Sequence, residues 1–390
     1  MSITKERRQI PDEPVSASLK RVDLQPCKFF LSTGSTLLDL SVSDRHPGGV
    51  GSGRVVQVIG DNSTAKSVVL KEILGSAQRL GGHAIELDAE YTPDFARAGL
   101  FGLDVGDWKD EVTHAENIDK PLCEAVKVCP SYTYRNPSNL EQLFDHEIGP
   151  ALMLTEGLVP DGVDKKTGEV RTKEADFSIR VPLAIGVDTF TALASSAEER
   201  RDLDVGSYNM ERAKTMSGGF RKWIKHVGRT DSTIIAVDHI RSAVGVTFGP
   251  QWTTSGGKAM QQYASTRIFL AHAGTIKNKL DHEIGIWVRA KCVKNKIAPP
   301  FREVRFAVLF DYGVDDVRSN LAWLHEQKTI PSKLTINGAW YSWGDGRLGC
   351  GEETAIRAIE DNDLEKELEQ EVVRVWRILY APPARKVKER

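Results

Sequence analysis

VVQVIGDNSTAKS, residues 55–67, joins an apolar run to a glycine, a polar loop, a lysine and a hydroxyl. The apolar run predicts a buried strand, Gly60 its turn, and the residues from Lys66 onward a helix. Backbone N–H groups of such a loop, together with the positive end of such a helix, bind polyphosphates. The spacing therefore predicts a P-loop, with Ala65 in place of the second glycine of the pattern.

An ordinary strand-to-helix turn is the alternative interpretation of the same residues, since this spacing also occurs where no phosphate binds. In a P-loop, Lys66 supplies a positive charge to the phosphates and the Ser67 hydroxyl a magnesium ligand. Two acids follow other predicted strands. Asp188 suits the Walker B acid that holds the magnesium shell, or is only a helix cap. Glu90 suits the carboxylate that polarises an attacking water, or is a solvated strand-end group.

Strand and helix patterns alternate along most of the chain. This alternation predicts an α/β fold, with a mostly parallel central sheet flanked by helices and a ligand site beyond the carboxyl ends of the strands. A further strand is predicted at residues 125–129, and strands around RIFLAHA, IGIWVRAKCV and VRFAVLF are predicted to extend the sheet in antiparallel fashion. Residues 160–177 have no apolar periodicity and are predicted to be an exposed, inserted loop.

Four segments are predicted from the composition along the chain. Charged residues with few apolar positions predict that residues 1–28 are an arm outside the core. Residues 29–315 are predicted to form the core, residues 316–382 a small α+β domain, and residues 383–390 a basic tail. Within the small domain, GAWYSWGDGRLG predicts a hairpin and DLEKELEQEVVRVWRILY an amphipathic helix.

The whole-chain composition is that of an ordinary globular protein, with 390 residues, 40% hydrophobic and 27% charged residues, and a net charge of −2. A charge near zero gives no general attraction to nucleic acid, so any DNA binding requires a local basic surface. The five cysteines have no metal-ligand spacing and no secretory signal precedes them, which favours a reducing compartment. No apolar run reaches the roughly 18 residues of a membrane span. We therefore expect a soluble, cytoplasmic protein without a membrane partner.

Several basic and aromatic residues outside the P-loop are candidates for such a surface. Lys294 and Lys296 lie two residues apart near two prolines, and are either cations for an anionic partner or a solvated face. Phe248 and Trp252, in a segment rich in glycine and hydroxyl groups, either stack on bases or pack into the core. His239 follows a strand-end aspartate and is either a sensor of the γ-phosphate or an ordinary satisfied polar residue.

Taken together and in order, these motifs resemble the RecA family of homologous-recombination ATPases, from about residue 29 to residue 380. The similar phrases are STGSTLLDL, the P-loop, LDAEYTPDFARAGLFGLDV, GVDTFTAL, DHIRSAVGVTFGPQWTTSGGKAMQQYASTRIFL, VKNKIAPPFREVRFAVLFDYGVD and GAWYSWGDGRLGCG. The resemblance implies a RecA-like core and a DNA-dependent ATPase that uses ATP and Mg²⁺. It also implies a helical filament on single-stranded DNA that pairs with homologous duplex DNA, with single-strand binding and mediator proteins as further partners.

The resemblance also implies a role for each matching residue. Glu90 would orient the attacking water, His239 would couple the nucleotide to the second DNA loop, and Lys294 and Lys296 would reach the ATP of a neighbouring subunit. The nucleotide would be held by the following residues, with Ser67 and Asp188 at the metal and Phe95 on the adenine: Gly60, Asp61, Asn62, Ser63, Thr64, Ala65, Lys66, Ser67, Phe95 and Asp188. DNA would be bound at loops near residues 201–209 and 243–259 by the following: Lys214, Arg221, Arg241, Phe248, Trp252, Gly256, Gly257 and Lys258.

Three positions depart from the RecA pattern: Ala65 replaces a glycine, His239 a glutamine and Gln262 a phenylalanine. Phage recombinases of the UvsX kind are similar in the first two departures, which predicts a phage-encoded member acting in a bacterial host. Two other classes remain open. One is a RecA paralogue that binds DNA but has lost or slowed ATP turnover, and the other is a hexameric helicase with a RecA-like core.

Overall fold

A computed structural model describes residues 27–163, 170–200, 208–242, 252–254 and 259–381. Within these ranges the strands are, in chain order, β1 Phe30–Leu31, β2 Val50–Gly51, β3 Val55–Gly60, β4 His83–Asp88, β5 Tyr132–Arg135, β6 Leu158–Val163, β7 Val170–Glu174, β8 Leu183–Asp188, β9 Thr233–Ser242, β10 Trp252–Thr254, β11 Thr266–Lys277, β12 Glu283–Asn295, β13 Glu303–Leu309, β14 Gly313–Asp315, β15 Leu334–Asn337, β16 Trp340–Trp343 and β17 Gly346–Cys350. The α-helices are α1 Thr36–Ser43, α2 Lys66–Arg79, α3 Phe95–Ala98, α4 Glu111–Asn117, α5 Leu122–Ala125, α6 Leu140–Gln142, α7 Gly149–Leu154, α8 Ser196–Glu199, α9 Tyr208–Arg229, α10 Ala259–Tyr263, α11 Asp316–Glu326, α12 Glu352–Asp361 and α13 Glu365–Leu379. The same ranges contain two 3₁₀ turns, Gly99–Phe101 and Gly106–Lys109, and a π-helix, Leu143–Ile148, which joins α6 to α7.

The central sheet has β3 in its middle, in the order β14-β13-β12-β11-β3-β9-β8-β4-β5. The six strands from β11 to β5 in this order are parallel, which confirms the predicted parallel core. Strands β12, β13 and β14 extend it in antiparallel fashion. All six residues of β3 are buried, as expected for an apolar central strand covered on both faces.

Two clusters of buried side chains cover the two faces of this sheet. Successive side chains of β3 point to opposite faces, so Val56 and Val58 belong to one cluster and Val55 to the other. The first cluster includes Leu70 of α2 with residues of α1, α11 and α13. The second includes Phe220 of α9 with residues of α6, α7 and the π-helix. The P-loop thus joins the middle strand of the sheet to a helix of the core.

Three local predictions from the sequence were wrong. The strand predicted at residues 125–129 is not formed, since α5 ends at Ala125 and the strand of this region is β5, Tyr132–Arg135. Residues 160–177 are not simply a loop, because β6 and β7 pair as an antiparallel hairpin; residues 164–169 lie outside the described ranges. Strand β11 is parallel to β3, whereas an antiparallel strand was predicted. In each case pairing with a distant segment decides the outcome, and local periodicity does not reveal it.

The C-terminal region has the predicted hairpin, β16 and β17, with β15 as a third strand. The predicted amphipathic helix is α13. Its Trp376 packs against Trp323 of α11, with ring centroids 6.0 Å apart, and donates a hydrogen bond from Nε1 to Oδ1 of Asp44 at 3.1 Å. The region therefore packs on the segment after α1, and the boundary at residue 316 stays a prediction. None of the helices in the described ranges is long and apolar enough to cross a lipid bilayer.

His83, at the start of β4, is predicted to make stability depend on pH. Its side chain is 2% exposed, with Nδ1 at 3.1 Å from the Pro130 carbonyl and Nε2 at 2.8 Å from Oγ1 of Thr133. Burial lowers the pKa of His83 from 6.5 to about 4. Below pH 6.5 His83 binds a proton in the unfolded chain but stays neutral in the native state. The free energy of unfolding therefore decreases as the pH falls from 6.5 to 4.

We expect His83→Gln to reduce this loss, by up to roughly 3 kcal/mol at pH 4 relative to pH 7. Urea unfolding at a series of pH values measures it. His272→Gln is the matched control, because His272 is exposed. A pH profile of His83→Gln that parallels wild type would contradict the prediction.

Candidate nucleotide site

The loop between β3 and α2 has the backbone of a phosphate-binding turn. Ser63 and Ala65 adopt left-handed conformations, with φ of 56° and 62°. Ala65 is the residue that precedes α2, so the free N–H groups of the first helical turn follow it directly. Concave arrangements of such N–H groups bind anions.

Lys66 brings a buried positive charge to this loop. Its side chain is 5% exposed, and Nζ donates a hydrogen bond to the Asp61 carbonyl at 2.6 Å. Burial lowers the pKa of Lys66, while the carboxylates of Asp188, Asp61 and Glu90 oppose that change. Among the described residues Lys66 forms no ion pair within 4.0 Å, so its charge is available to an anion such as a polyphosphate.

Ser67 and Asp188 meet beside Lys66. Oγ of Ser67 donates a hydrogen bond to Oδ2 of Asp188 at 2.6 Å. Burial raises the pKa of Asp188 to about 6, against the effect of the Ser67 hydrogen bond. The described residues contain no group of three or more His, Cys, Asp and Glu side chains that would hold a metal by themselves. A hydroxyl and one carboxylate fit Mg²⁺, which is usually bound by one or two carboxylates together with substrate phosphates and water.

Glu90 and His239 lie at the same edge of the sheet. Register pairs Gly60 with His239 and Asp88 with Asp188, so the carboxyl ends of four neighbouring strands converge there. Nε2 of His239 is 3.4 Å from Oε1 of Glu90. Nδ1 of His239 is buried and has no hydrogen-bond partner among the residues that the structure describes. This ring nitrogen is therefore unsatisfied within the described part of the chain, and the role of His239 as a sensor of the γ-phosphate stays a prediction.

Phe95, the candidate for the adenine, begins α3. Its ring packs edge-on against Tyr134, with centroids 4.9 Å apart, and against His114 at 5.6 Å. The same ring lines a surface pocket together with Gly99 and Lys109. The rings of Tyr134 and His114 thus pack against Phe95, which also borders the pocket.

Lys294 and Lys296 lie away from the P-loop of their own chain. Arg267 of β11 pairs with Gln57 of β3 on one side and with Lys294 of β12 on the other. Lys294 is therefore level with Gln57, about 10 Å along the strand from Gly60 and two strands to the side. Its Nζ donates to the carbonyls of Gln261 and Gln262, at 2.6 and 3.2 Å, at the end of α10.

The candidate DNA-binding residues are only partly described. Lys214 and Arg221 are exposed on α9. Arg241 lies in β9 and Trp252 in β10, which pairs with the end of β9. Most of the two predicted loops lies outside the described residues, as do four of the candidates: Phe248, Gly256, Gly257 and Lys258.

Three residues of the site have no assigned role in the sequence-based predictions: Asp88, Tyr134 and Asn136. Asp88 accepts hydrogen bonds from the Glu90 N–H and from the Tyr134 hydroxyl. Asn136 donates to the Asp88 carbonyl. The alternation of β-forming residues in YTYR was the available signal, but the strand was predicted at residues 125–129, too early in the chain.

A parallel sheet with a P-loop after its middle strand, an aspartate beside the P-loop serine and a carboxylate at the next strand end define the class of P-loop ATPases. Comparison with known proteins identifies the branch of this class. The RecA N-terminal domain family matches residues 19–112 and 173–315. The chain belongs to the RecA family and is a RecA-like recombinase, and the members of this family are DNA-dependent ATPases.

Curated relatives named Protein RecA cover most of the chain. The protein from Clostridium acetobutylicum is 32% identical over 359 residues, 92% of this chain and 85% of the relative. The protein from Chlamydia trachomatis serovar L2 is 30% identical over 91% of this chain and 84% of the relative. The protein from Gloeobacter violaceus is 30% identical over 85% of this chain and 73% of the relative. Residues 113–172, which include β6, fall outside the family match.

The left-handed backbone of Ala65 leads to a prediction for Ala65→Gly. A left-handed conformation costs a residue other than glycine about 1–2 kcal/mol, while glycine loses about 0.4–1 kcal/mol through the entropy of the unfolded chain. We expect Ala65→Gly to raise the free energy of unfolding by up to about 1 kcal/mol. Because the loop becomes less restricted, we expect the ATP affinity or turnover to change without being abolished.

Ala77→Gly is the matched control, since Ala77 is a buried residue further along α2 and should lose about 1 kcal/mol or more. Chemical denaturation and steady-state ATP hydrolysis measure both variants. Equal destabilisation by the two substitutions would show that Ala65 carries no backbone strain. ATPase parameters of Ala65→Gly that equal those of wild type would show that the loop tolerates the methyl group freely.

Proposed function

We propose that this protein assembles on single-stranded DNA as a helical filament, with ATP and Mg²⁺, and pairs that strand with homologous duplex DNA. The observation that carries the proposal is the meeting of two pairs, Ser67 with Asp188 and Glu90 with His239, at the carboxyl edge of the sheet. Membership of the RecA family supports the use of this site in recombination.

Each residue of the site has a distinct part in ATP hydrolysis. Lys66 and the N–H groups after Ala65 bind the phosphates, and Phe95 stacks on the adenine. Ser67 and Asp188 hold Mg²⁺, which neutralises charge on the phosphates when it is bound. Glu90 accepts a hydrogen bond from the attacking water and aligns it. The side chain of Glu90 is 43% exposed, so water reaches it directly.

His239 couples the nucleotide to DNA in this proposal. It contacts Glu90 on one side and belongs to β9, which ends at Ser242 immediately before the predicted second DNA loop. Strand β10, which lies within that predicted loop, pairs back onto the end of β9. A shift of His239 on binding a γ-phosphate therefore acts on the start of the loop through β9 and on its interior through β10.

Self-association completes the site in this proposal, with Lys294 and Lys296 reaching the ATP of the adjacent subunit. Lys294, Lys296 and Arg267 place three positive charges close together. Burial lowers the pKa of Lys294, and the charges of Lys296 and Arg267 lower it further. A bound anion is favoured there because it offsets this repulsion. Single-strand binding and mediator proteins are the expected further partners, and the cytoplasm the expected location. Ala65 and His239 remain the basis for predicting a phage origin.

Joint-molecule formation tests the proposed function. Circular single-stranded DNA is incubated with linear duplex DNA, ATP and Mg²⁺, and joint molecules are separated on a gel. We expect joint molecules with homologous duplex and none with heterologous duplex, none without ATP and none with Lys66→Met. Binding to DNA without joint molecules would instead identify a paralogue that lacks the recombinase activity, and rings on DNA in electron micrographs would identify a helicase-like assembly.

A further inference from the structure

The turn that carries Glu90 is held in an unfavourable backbone conformation. Tyr91, the next residue, has φ of 56° and an exposed side chain. Left-handed backbone in a bulky residue persists only where the surroundings determine it. The contacts that hold this turn therefore also determine where the Glu90 carboxylate lies.

Asp88, at the end of β4, closes the turn with both of its carboxylate oxygens. Oδ1 accepts a hydrogen bond from the Glu90 N–H at 2.8 Å, and Oδ2 accepts one from the Thr92 N–H at 2.8 Å. Asp88 itself is buried. Its orientation thus fixes the backbone on both sides of Tyr91.

Two residues of the neighbouring strand region hold Asp88. The Tyr134 hydroxyl donates to Oδ2 of Asp88 at 2.6 Å. Nδ2 of Asn136 donates to the Asp88 carbonyl at 2.8 Å and to the Tyr134 hydroxyl at 3.0 Å. Burial raises the pKa of Tyr134, so this hydroxyl stays a donor at neutral pH.

The same tyrosine contacts Phe95. The two rings meet edge to face, at 78° with centroids 4.9 Å apart. One buried residue therefore touches the candidate adenine-binding ring and, through Asp88, the turn of the candidate catalytic carboxylate. This arrangement suits a support that keeps the bound base and the carboxylate at a fixed separation.

We propose that Tyr134 and Asn136 are positioning residues for ATP hydrolysis, which set the place of Glu90 through Asp88; this inference rests on the proposed role of Glu90. Misplacement of a reacting group by about 1 Å can cost up to 10²-fold in rate. Removing the Tyr134 hydroxyl should let the turn relax while Phe95 keeps its ring contact. The expected effect is therefore on kcat and not on the KM for ATP.

Tyr134→Phe and Tyr132→Phe form a matched pair for the test. Tyr132 lies on the same strand, is 0% exposed against 1% for Tyr134, and donates to Oε2 of Glu86 at 2.6 Å. Each substitution removes one buried hydroxyl that donates to a carboxylate, but only Tyr134 is linked to Glu90. Steady-state ATP hydrolysis on single-stranded DNA and thermal unfolding are measured for both.

We expect Tyr134→Phe to lower kcat by roughly tenfold, with the KM for ATP within about twofold of wild type. Tyr132→Phe should leave kcat within about twofold at a similar loss of thermal stability. An unchanged kcat in Tyr134→Phe, or an equal loss in both variants, overturns the inference. If Tyr134→Phe does not fold, Asn136→Ala gives the same test at a partly exposed position, and a kcat equal to wild type in that variant overturns it.

Glu90→Gln separates failure of this inference from failure of the proposed function. Wild-type ATP hydrolysis by Glu90→Gln would contradict the catalytic role of Glu90, and therefore also the proposal that Tyr134 and Asn136 position it. Loss of hydrolysis in Glu90→Gln together with a wild-type kcat in Tyr134→Phe would agree with the proposed function. It would contradict only the positioning role of Tyr134.

Discussion

Lys66→Met should abolish DNA-dependent ATP hydrolysis while the fold survives. The substitution removes the ammonium group but keeps an unbranched side chain of similar volume in a site that is 5% exposed. Loss of a charge that stabilises a transferring phosphoryl group lowers kcat by about 10²- to 10³-fold. Burial lowers the pKa of Lys66, so the charge costs free energy in the folded state, and we expect the free energy of unfolding to stay equal or to rise.

Lys71→Met is the matched control for this prediction. Lys71 lies five positions later on α2, is also buried, and pairs with Oε1 of Glu86 at 3.0 Å. Removing one member of a buried ion pair costs roughly 3–5 kcal/mol. Lys71→Met should therefore lose stability and keep hydrolysis in the folded fraction, the reverse of Lys66→Met. Hydrolysis by Lys66→Met above about a tenth of wild type would contradict the phosphate-binding role.

Mixing two inactive variants should restore hydrolysis if the site is shared between subunits. Lys66→Met subunits retain the lysines at 294 and 296, and Lys294→Ala/Lys296→Ala subunits retain the P-loop. In an equal mixture with random order along a head-to-tail filament, about a quarter of the interfaces combine an intact P-loop with intact lysines from the neighbour. We expect recovery of up to about a quarter of wild-type ATPase activity, measured across a series of mixing ratios.

The position of the lysines within one chain is the reason for this expectation. Lys294 is level with Gln57, three residues before Gly60 on β3, and its Nζ is hydrogen-bonded near the end of α10. Its side chain spans about 6 Å, less than the roughly 10 Å along the strand that separates these two levels. Because of this separation, Lys294 does not reach a phosphate bound to the P-loop of its own chain. It can contact only a phosphate bound to a neighbouring subunit. Absence of recovery when both variants co-assemble on DNA would contradict a shared site.

The P-loop, its strand and its helix could be predicted from residues 55–67 because every determinant is local. An apolar run, a glycine turn and a helix start follow one another there, and the acids Asp188 and Glu90 follow strands of equally clear pattern. Parallel strands bring such acids to one edge whatever their order along the chain. The P-loop, Asp188 and Glu90 were therefore correctly predicted to lie at one edge of the sheet, although other strands were predicted wrongly.

Features that depend on register could not be predicted in the same way. The runs AVKVC and YTYR are both short and suited to a strand, and the pairing of YTYR with β4, which places Glu86 opposite Tyr134, makes the second run β5. Because β5 was not predicted, the contacts of Tyr134 and Asn136 with Asp88, which hold the Glu90 turn, were not predicted either. The hairpin of β6 and β7 was missed because Pro160 and Gly162 interrupt its alternation, and a register shift lies between Pro160 and Val163.

Steady-state ATP hydrolysis with and without single-stranded DNA is the sharpest test of a DNA-dependent ATPase that uses Glu90, and Glu90→Gln supplies the baseline. We expect slow hydrolysis without DNA and at least about a tenfold increase when single-stranded DNA is saturating, which corresponds to lowering the activation barrier by about 1.4 kcal/mol or more. The increase should be absent in Glu90→Gln. A rate of hydrolysis that does not change with DNA would contradict a DNA-dependent ATPase, and equal rates in wild type and Glu90→Gln would contradict the catalytic role of Glu90.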